Sequence, residues 1–283
     1  MTKLLGIRHS KRWPRLLAGL FFVAPLLALC GTGSVQAEVI KIGGTGSALG
    51  TMQLLAQAYA KNHPETRITV LPSLGSGGGV KALLAGAIQL GVSSRPLKDA
   101  ELKQGAVATE YGRTPFVFAI SASNPVAGLS YRELIEIYAG KTELWPDGHK
   151  IRLVLRPVWD SDSEMIKSIS DEMRAAKSQA EQRQGMLFAV TDQETADNLE
   201  RIPGALGPST LGQILSEKRA LKSLRLNGVE PSAKTIADGS YPLYKSLYLV
   251  TGPQSPPAAQ LFVSFVRSAP GREILRQNGN WEQ

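Results

Sequence analysis

Two glycine-rich loops near the start of the chain constrain its fold more than any other sequence feature. Residues 43–50 (Gly-Gly-Thr-Gly-Ser-Ala-Leu-Gly) follow an apolar run at 39–42, and residues 74–79 (Leu-Gly-Ser-Gly-Gly-Gly) follow a β-branched run at 68–71. Each loop leads into a segment whose apolar spacing predicts a helix. A strand, a glycine loop and a helix in this order let free backbone N–H groups and the positive end of the helix dipole face an anion.

A third apolar run at 90–94 completes a β-α-β-α-β order, which favours a parallel sheet. Ligands of such sheets bind beyond the carboxyl ends of the strands. The loops near Gly46, Ser76 and Ser94 all fall at these ends. An isolated glycine loop is usually a flexible turn before a helix, but three loops that converge on one sheet edge favour a binding site.

Further elements follow along the rest of the chain. Ser130 and Glu133 have the spacing of a capping box, so a helix is expected from Ser130 to Tyr138. The last helix is expected to break near Pro270 and Gly271. The sequence also predicts strands at 114–121, 151–155, 204–207 and 244–250, and helices at 49–62, 80–89, 163–183, 193–200, 211–218 and 257–277.

The first 37 residues have the pattern of a secretory signal peptide. Five basic residues precede an apolar run at 16–29, which is shorter than the roughly 20 residues that span a bilayer. The small residues at 35–37 predict cleavage after Ala37 and export to the periplasm. A lipoprotein would need Cys30 as the acylated residue, but the bulky Leu29 before it makes this alternative the less favoured one.

The predicted cleavage changes the charge of the chain. The full sequence has 32 Lys and Arg against 24 Asp and Glu, a formal charge of +8. The first 37 residues hold five of the basic residues and no acidic ones, which leaves 27 against 24, or +3. The apparent basicity is therefore largely a targeting signal, and we expect no nucleic-acid partner.

The residues needed for common catalytic sites are sparse. The glycine loops match neither the Gly-x-Ser-x-Gly motif of serine hydrolases nor the Gly-x-Gly-x-x-Gly motif of dinucleotide sites. Cys30, the only cysteine, leaves with the signal peptide, and His63 and His149 lie too far apart to indicate a metal site or a catalytic triad. We expect a protein that is not an enzyme and that uses no metal or cofactor.

Four further motifs stand along the chain: Gly-Ser-Gly-Gly-Gly-Val-Lys at 75–81, Gly-Val-Ser-Ser-Arg-Pro-Leu at 91–97, Ile-Tyr-Ala-Gly-Lys at 137–141 followed by Trp145, and Ile-Pro-Gly-Ala-Leu-Gly at 202–207. These motifs resemble the periplasmic phosphate-binding proteins of ATP-driven phosphate uptake. The resemblance implies a two-lobed α/β fold, the class II periplasmic binding protein fold, with a ligand cleft between lobes joined by two crossover strands.

The same resemblance implies lobe boundaries. The crossover strands are expected at 115–121 and 244–250. Lobe one is then 38–117 together with 242–283, and lobe two is 118–241.

The resemblance also implies the residues of the anion site. Arg156 matches the arginine that lobe two contributes, and a guanidinium fork suits a tetrahedral oxyanion. The alternative for Arg156 is a structural salt bridge. The implied ligand-binding residues are Gly46, Ser47, Ala48, Ser76, Gly77, Ser94, Arg156, Ser161 and Ser163.

Two departures from the family pattern bear on specificity. The family has an aspartate at the position of Ser94, where its carboxylate accepts the proton of hydrogen phosphate and repels anions without a proton. A serine hydroxyl can donate instead, which would tolerate fully deprotonated anions. After Arg156 the family has a Gly/Ser/Thr loop, whereas this chain has Asp160 and Asp162, which suit an anion only if they cap a helix or pair with Arg156.

The sequence therefore predicts an extracytoplasmic solute-binding protein that captures phosphate or a related small oxyanion for an ABC transporter. Its partners would be the membrane permease subunits, and a protein that opens and docks is expected to be a monomer. Two alternatives remain open: a member of the same fold that presents a ligand to a membrane sensor or has lost binding, and a binder of another oxyanion such as sulfate.

Overall fold

The computed structural model describes Glu38–Glu282, which belong to one compact unit. The predicted signal peptide, its cleavage site and Cys30 lie outside the described residues. The strands are β1 Glu38–Gly44, β2 Thr66–Val70, β3 Leu90–Ser93, β4 Val107–Ser121, β5 Gly128–Leu129, β6 Arg152–Leu155, β7 Leu187–Phe188, β8 Ala205–Thr210, β9 Leu221–Ser223, β10 Arg225–Leu226 and β11 Tyr244–Thr251. The helices are α1 Gly46–Ala60, α2 Gly75–Leu84, α3 Asp99–Lys103, α4 Tyr131–Tyr138, α5 Ser161–Lys167, α6 Asp171–Gln182, α7 Asp192–Arg201, α8 Leu211–Ser216, α9 Ala233–Ala237, α10 Pro257–Val266 and α11 Ala269–Gln277.

Nine of these strands form one mixed sheet in the order β2-β1-β3-β11-β4-β8-β6-β7, with β9 beside β4. The parallel pairing of β1 with β2 and β3 confirms the predicted β-α-β-α-β unit. Residues 107–115 of β4 pair antiparallel with β11, with a bulge at Tyr111, and Phe116–Ala119 pair antiparallel with β8. β4 therefore runs through both halves of the sheet, beginning earlier than the predicted strand. The lobe boundaries at 117 and 241 stay predictions.

Each half of the sheet has its own hydrophobic core. In one half, Ile42 on β1, Met52 on α1 and Phe262 on α10 belong to one buried cluster. In the other half, Phe118 on β4 and Tyr138 on α4 belong to a second cluster, together with side chains of α6. Polar residues at the strand ends, among them Ser94 and Arg156, line the cleft described below. Across Glu38–Glu282, no helix has the length and apolarity that crossing a membrane requires.

Three of the predicted helices have clearly different boundaries. The helix expected at 80–89 is α2, which begins at Gly75 inside the predicted glycine loop and ends at Leu84, because Gly86 adopts a positive φ of 72° just after its end. The polar stretch predicted as one helix at 163–183 forms two, because Ser170 is extended and its hydroxyl accepts a hydrogen bond from the N–H of Met173, which starts α6. The predicted break at Pro270 falls earlier, at Arg267 and Ser268. Pro270 lies in the first turn of α11, where a missing N–H group costs little.

Gly79 lets helix α2 approach strand β1 closely. A Cβ atom on Gly79 would lie 2.6 Å from the Cα of Gly44 and 2.9 Å from the carbonyl oxygen of Gly43. Both neighbours are backbone atoms, which cannot move aside as a flexible side chain could. This contact fixes the N-terminal end of α2 next to the end of β1.

We predict that Gly79→Ala lowers the free energy of unfolding by about 1–3 kcal/mol, because the added methyl group forces α2 away from β1. Gly77→Ala is the matched control in the same helix, since the nearest atom to its added Cβ is 3.8 Å away. We expect it to be neutral or to stabilise by up to about 1 kcal/mol through helix propensity. Urea denaturation followed by circular dichroism measures both, and equal stabilities would contradict the packing argument.

Candidate functional site

A cleft of about 960 Å³ lies at the carboxyl ends of β1, β3 and β6. Thr45 follows β1, Ser94 follows β3 and Arg156 follows β6, so three separate strands deliver polar side chains to it. Both halves of the sheet line the cleft, as the family resemblance implies for a ligand site between two lobes. Its polar residues include Thr45, Ser76, Ser94, Arg95, Lys98, Arg156, Asp160, Ser161, Asp162, Arg174, Asp192 and Lys245.

One wall of the cleft presents hydroxyl groups and a helix N-terminus. Thr45 Oγ1 donates to Ser94 Oγ at 3.1 Å, and the Oγ atoms of Ser76 and Ser94 lie 3.2 Å apart. The N–H of Ser94 donates to Ser76 Oγ at 3.0 Å, which fixes the two loops against each other. Gly77, in the first turn of α2, is exposed at this wall. Free N–H groups and the dipole of a ten-residue helix make this wall suitable for an anion.

The opposite wall is built around Arg156, which is only 3% exposed. Its Nη2 and Nε atoms donate to the two carboxylate oxygens of Asp160 at 2.8 and 3.3 Å, and Nη1 donates to the carbonyl of Ala189 at 2.9 Å. Burial opposes the charged form, but Asp192, Asp162 and Asp160 together raise the pKa of Arg156. The guanidinium is therefore a fixed cation whose direction is set by Asp160.

Asp160 also begins helix α5. One of its carboxylate oxygens accepts a hydrogen bond from the N–H of Asp162 at 2.9 Å, as an N-cap residue does. The two roles expected for an aspartate at this position, capping a helix and pairing with Arg156, are thus combined in one side chain. Trp159, next to it, is 73% exposed and lines the cleft, so it lies outside the hydrophobic core.

Lys245 on β11 is a second buried cation, and sequence reasoning missed it. Its Nζ forms an ion pair with Asp162, donates to Ser47 Oγ at 3.0 Å and lies 3.8 Å from Asp192. Burial favours the neutral amine, but Asp162 and Asp192 outweigh it and raise the pKa of Lys245. The sequence of β11 could have indicated this burial. Alternate side chains of a strand face the same side, and Lys245 alternates with the buried Leu247 and Leu249.

The pKa values of the two buried carboxylates beside Lys245 are shifted in opposite directions. Burial, reinforced by Asp192 and Asp160, raises the pKa of Asp162 despite its pairing with Lys245. Burial also acts on Asp192, but Lys245, Arg156 and the hydroxyl of Ser47 hold the pKa of that carboxyl below its ordinary value. Within the described residues, no group of three or more His, Cys, Asp or Glu side chains is arranged to hold a metal ion.

The structure places the predicted ligand-binding residues in two settings. Ser76, Gly77, Ser94, Arg156 and Ser161 line the cleft. Gly46, Ser47, Ala48 and Ser163 are buried beside it.

Gly46 and Ser47, at the start of α1, contact side chains of the protein itself. Ser47 Oγ donates to Asp192 at 2.7 Å, and Gln193 Nε2 donates to the carbonyl of Gly46 at 3.0 Å. A Cβ atom on Gly46 would lie 2.6 Å from a carboxylate oxygen of Asp192, so the absence of a side chain allows this approach. Asp192 therefore lies at the N-terminus of α1, where the sequence predicted a ligand anion.

Ser163 also has partners within the protein. Its hydroxyl donates to the carbonyl of Arg156 at 2.9 Å and accepts a hydrogen bond from Lys177 Nζ at 3.2 Å. In this conformation the hydroxyl of Ser163 holds the backbone carbonyl of Arg156 in place through a hydrogen bond.

We predict that Arg156→Met lowers the free energy of unfolding by about 3–5 kcal/mol near neutral pH, because it leaves buried carboxylates without their counter-charge. The loss should shrink as the pH falls and the carboxylates become protonated. Arg219→Met is the matched control, since Arg219 also faces three carboxylates but is more exposed. It should cost about 1 kcal/mol or less. Urea denaturation at several pH values tests this, and similar losses in both variants would contradict it.

Comparison with known proteins gives relatives over most of the chain. It is 24% identical over 253 residues to the phosphate-binding protein PstS of Borreliella burgdorferi, covering 86% of this chain and 89% of that protein. It is 27% identical over 242 residues to PstS of Bacillus subtilis, covering 81% and 75% of the two chains.

Solved structures share the fold. A chain from Clostridium perfringens, assigned as a phosphate ABC transporter substrate-binding protein and solved with bound phosphate, matches with a TM-score of 0.72 at 19% identity, covering 87% of this chain and all of that one. An ABC-type phosphate transport receptor from Vibrio cholerae matches with a TM-score of 0.58 at 20% identity, with 87% and 100% covered.

These matches confirm the resemblance stated from the sequence and the expected two-lobed α/β fold with a cleft between lobes. Residues 31–270 match the PBP superfamily domain, which is most of the chain. The protein therefore belongs to the PBP superfamily.

Proposed function

We propose that this protein is an extracytoplasmic solute-binding protein that captures phosphate, or a closely related tetrahedral oxyanion, for an ABC transporter. The observation that carries the proposal is the meeting of the α2 N-terminus, Ser94 and Arg156 in one cleft. Curated relatives named as phosphate-binding proteins and a structural neighbour solved with phosphate support the same ligand. In this role the protein binds and releases its ligand unchanged and is not an enzyme.

The groups in the cleft suit a tetrahedral anion for physical reasons. The first turn of α2 and the hydroxyls of Ser76 and Ser94 can donate hydrogen bonds from one wall. Arg156 supplies a permanent positive charge from the other wall, and Ser161 can add a hydroxyl there. Closure of two lobes around the anion would remove water and strengthen each of these interactions.

The buried group Gly46, Ser47 and Ala48 would take part only after Asp192 moves. Opening or closing of the cleft would have to separate Asp192 from Ser47 before these donors could reach a ligand. Ser163 would act in the same indirect way, by holding the Arg156 backbone. Lys245 would add a second positive charge at the back of the site.

The setting of this activity follows from the proposal. Residues 1–37 would direct export and be cleaved after Ala37, and the lobes at 38–117 with 242–283 and at 118–241 would close on the ligand. The loaded protein would then dock as a monomer on the permease subunits of its transporter.

Calorimetric titration of the purified mature chain with phosphate and sulfate tests the proposed function. We expect saturable 1:1 binding of phosphate, lost or weakened at least about tenfold in Arg156→Lys, because an ammonium cannot reproduce the two-pronged contact of a guanidinium. Lys222→Arg, remote from the cleft, serves as a control that keeps full affinity. Failure of both anions to bind would refute the proposal and favour the sensor-type alternative.

Ser94 offers a separate test of selectivity. We predict that Ser94→Asp weakens sulfate binding at least about tenfold relative to phosphate, because a carboxylate repels an anion that carries no proton to donate. Ser94→Ala removes the hydroxyl without adding charge and should weaken both anions to a similar extent. Competition titrations of the two variants measure the ratio, and an unchanged sulfate-to-phosphate ratio in Ser94→Asp would show that position 94 does not set selectivity.

A further inference from the structure

The cluster of charged side chains deepest in the cleft has more carboxylates than cations, whereas the other charged residues that line the cleft are more exposed: Arg95, Lys98, Glu164 and Arg174. Asp160, Asp162 and Asp192 face Arg156 and Lys245, which gives a net charge of −1 when all five groups are ionised. Asp162 is 2% exposed and Asp192 is 7% exposed, so water screens these charges poorly. A bound oxyanion would add at least one more negative charge, and ionised carboxylates would oppose its entry.

The three carboxylates differ in how well their ionised forms are stabilised. Asp160 accepts hydrogen bonds from two atoms of Arg156 and from the N–H of Asp162. Asp192 accepts a hydrogen bond from Ser47 and lies within 4 Å of both cations. Asp162 also lies within 4 Å of both cations and accepts a hydrogen bond from Ser161 Oγ at 3.5 Å, but it is the most buried of the three, and both other carboxylates act against its charge.

The charged and titratable groups around Asp162 come from several helices and strands. Besides the two cations and two carboxylates, the phenol of Tyr138 on α4 is near enough to be affected by its charge. On α6, Lys177 Nζ donates hydrogen bonds to Ser163 Oγ and to the carboxylate of Glu181, so its charge is already paired. Glu164 on α5 and Arg174 on α6 also line the cleft, and both are exposed to solvent.

We propose that anion binding in this cleft is coupled to proton uptake, with Asp162 as the group that takes up the proton. The inference rests on the proposed function and adds how the site accommodates its ligand's charge. One solvent proton binds the Asp162 carboxylate when the anion enters, and the anion then meets Arg156 and Lys245 balanced by Asp160 and Asp192 alone. A protonated Asp162 can also donate a hydrogen bond, a role that its ionised form cannot fill.

The direction of the pH dependence follows. Burial and the neighbouring carboxylates raise the pKa of Asp162, and a bound anion raises it further. Between these two pKa values, the complex holds more protons than the free protein. Affinity is therefore greatest at low pH within this interval and falls as the pH rises through it, tenfold for each unit by which the anion shifts the pKa. Ser94, which has no carboxylate, contributes nothing to this coupling.

Calorimetry in buffers of different ionisation enthalpy counts the protons taken up per phosphate bound. The full mature chain, Asp162→Asn and Asp171→Asn are compared between about pH 5 and about pH 8, the range in which folded proteins are usually most stable. Phosphate's own titration contributes equally to all three, so differences between them report on the protein. Asp171 is exposed in the first turn of α6, which makes its variant the control for loss of one negative charge.

We expect Asp162→Asn to take up fewer protons than the wild type and to bind phosphate about tenfold more tightly at the upper end of the range, while Asp171→Asn matches the wild type. Equal proton counts in wild type and Asp162→Asn would overturn the inference and leave the proposed function standing. Absence of phosphate binding by the wild type would instead overturn the proposed function, and the inference with it.

A second measurement needs no variant. Infrared difference spectra of the wild type with and without phosphate should show growth of a protonated carboxyl band near neutral pH. A flat difference in that region would overturn the inference even if Asp162→Asn failed to fold.

Discussion

The pairing of Arg156 and Lys245 with the buried Asp162 and Asp192 and the partly buried Asp160 is the interaction on which the site depends. Taking carboxylates out of water is costly, and it is tolerated here because each lies within 4 Å of at least one cation. Lys245 reaches both Ser47 on α1 and Asp162 on α5, so this cluster joins elements from the two halves of the sheet. Removing either cation would leave unbalanced charge where the two halves meet.

This cluster also changes how the cleft must recognise an anion. A helix N-terminus is a natural place for negative charge, and at α1 the protein supplies that charge itself through Asp192. The donors on the other wall of the cleft are then the first turn of α2 and the hydroxyls of Ser76 and Ser94. Recognition in this chain therefore combines attraction by fixed donors with competition from the protein's own carboxylates.

Much of the local structure could be predicted from the sequence, because its causes are local. The β-α-β-α-β unit follows from apolar periodicity, and the Ser130 capping box forms as its spacing indicates. The break before α6 could not be predicted, since polar residues continue on both sides and only the hydroxyl of Ser170 marks it. The loops at strand ends likewise predicted that Ser76 and Ser94 meet, and the family resemblance added Arg156. All three line one cleft, whereas their ligand contacts stay a prediction.

The charge cluster itself could not be predicted because its contacts are long-range. Ser47 and Asp192 are 145 residues apart, and Ser47 and Lys245 are 198 residues apart, so no local pattern connects them. A lysine on an apolar strand and an aspartate at a helix start each have ordinary local explanations. Only the contacts in the folded structure show that Asp162 and Asp192, although chemically identical, have pKa values shifted in opposite directions. Because the same cations hold both carboxylates and face the cleft, a ligand that draws on Arg156 or Lys245 must change the protonation balance of the whole cluster.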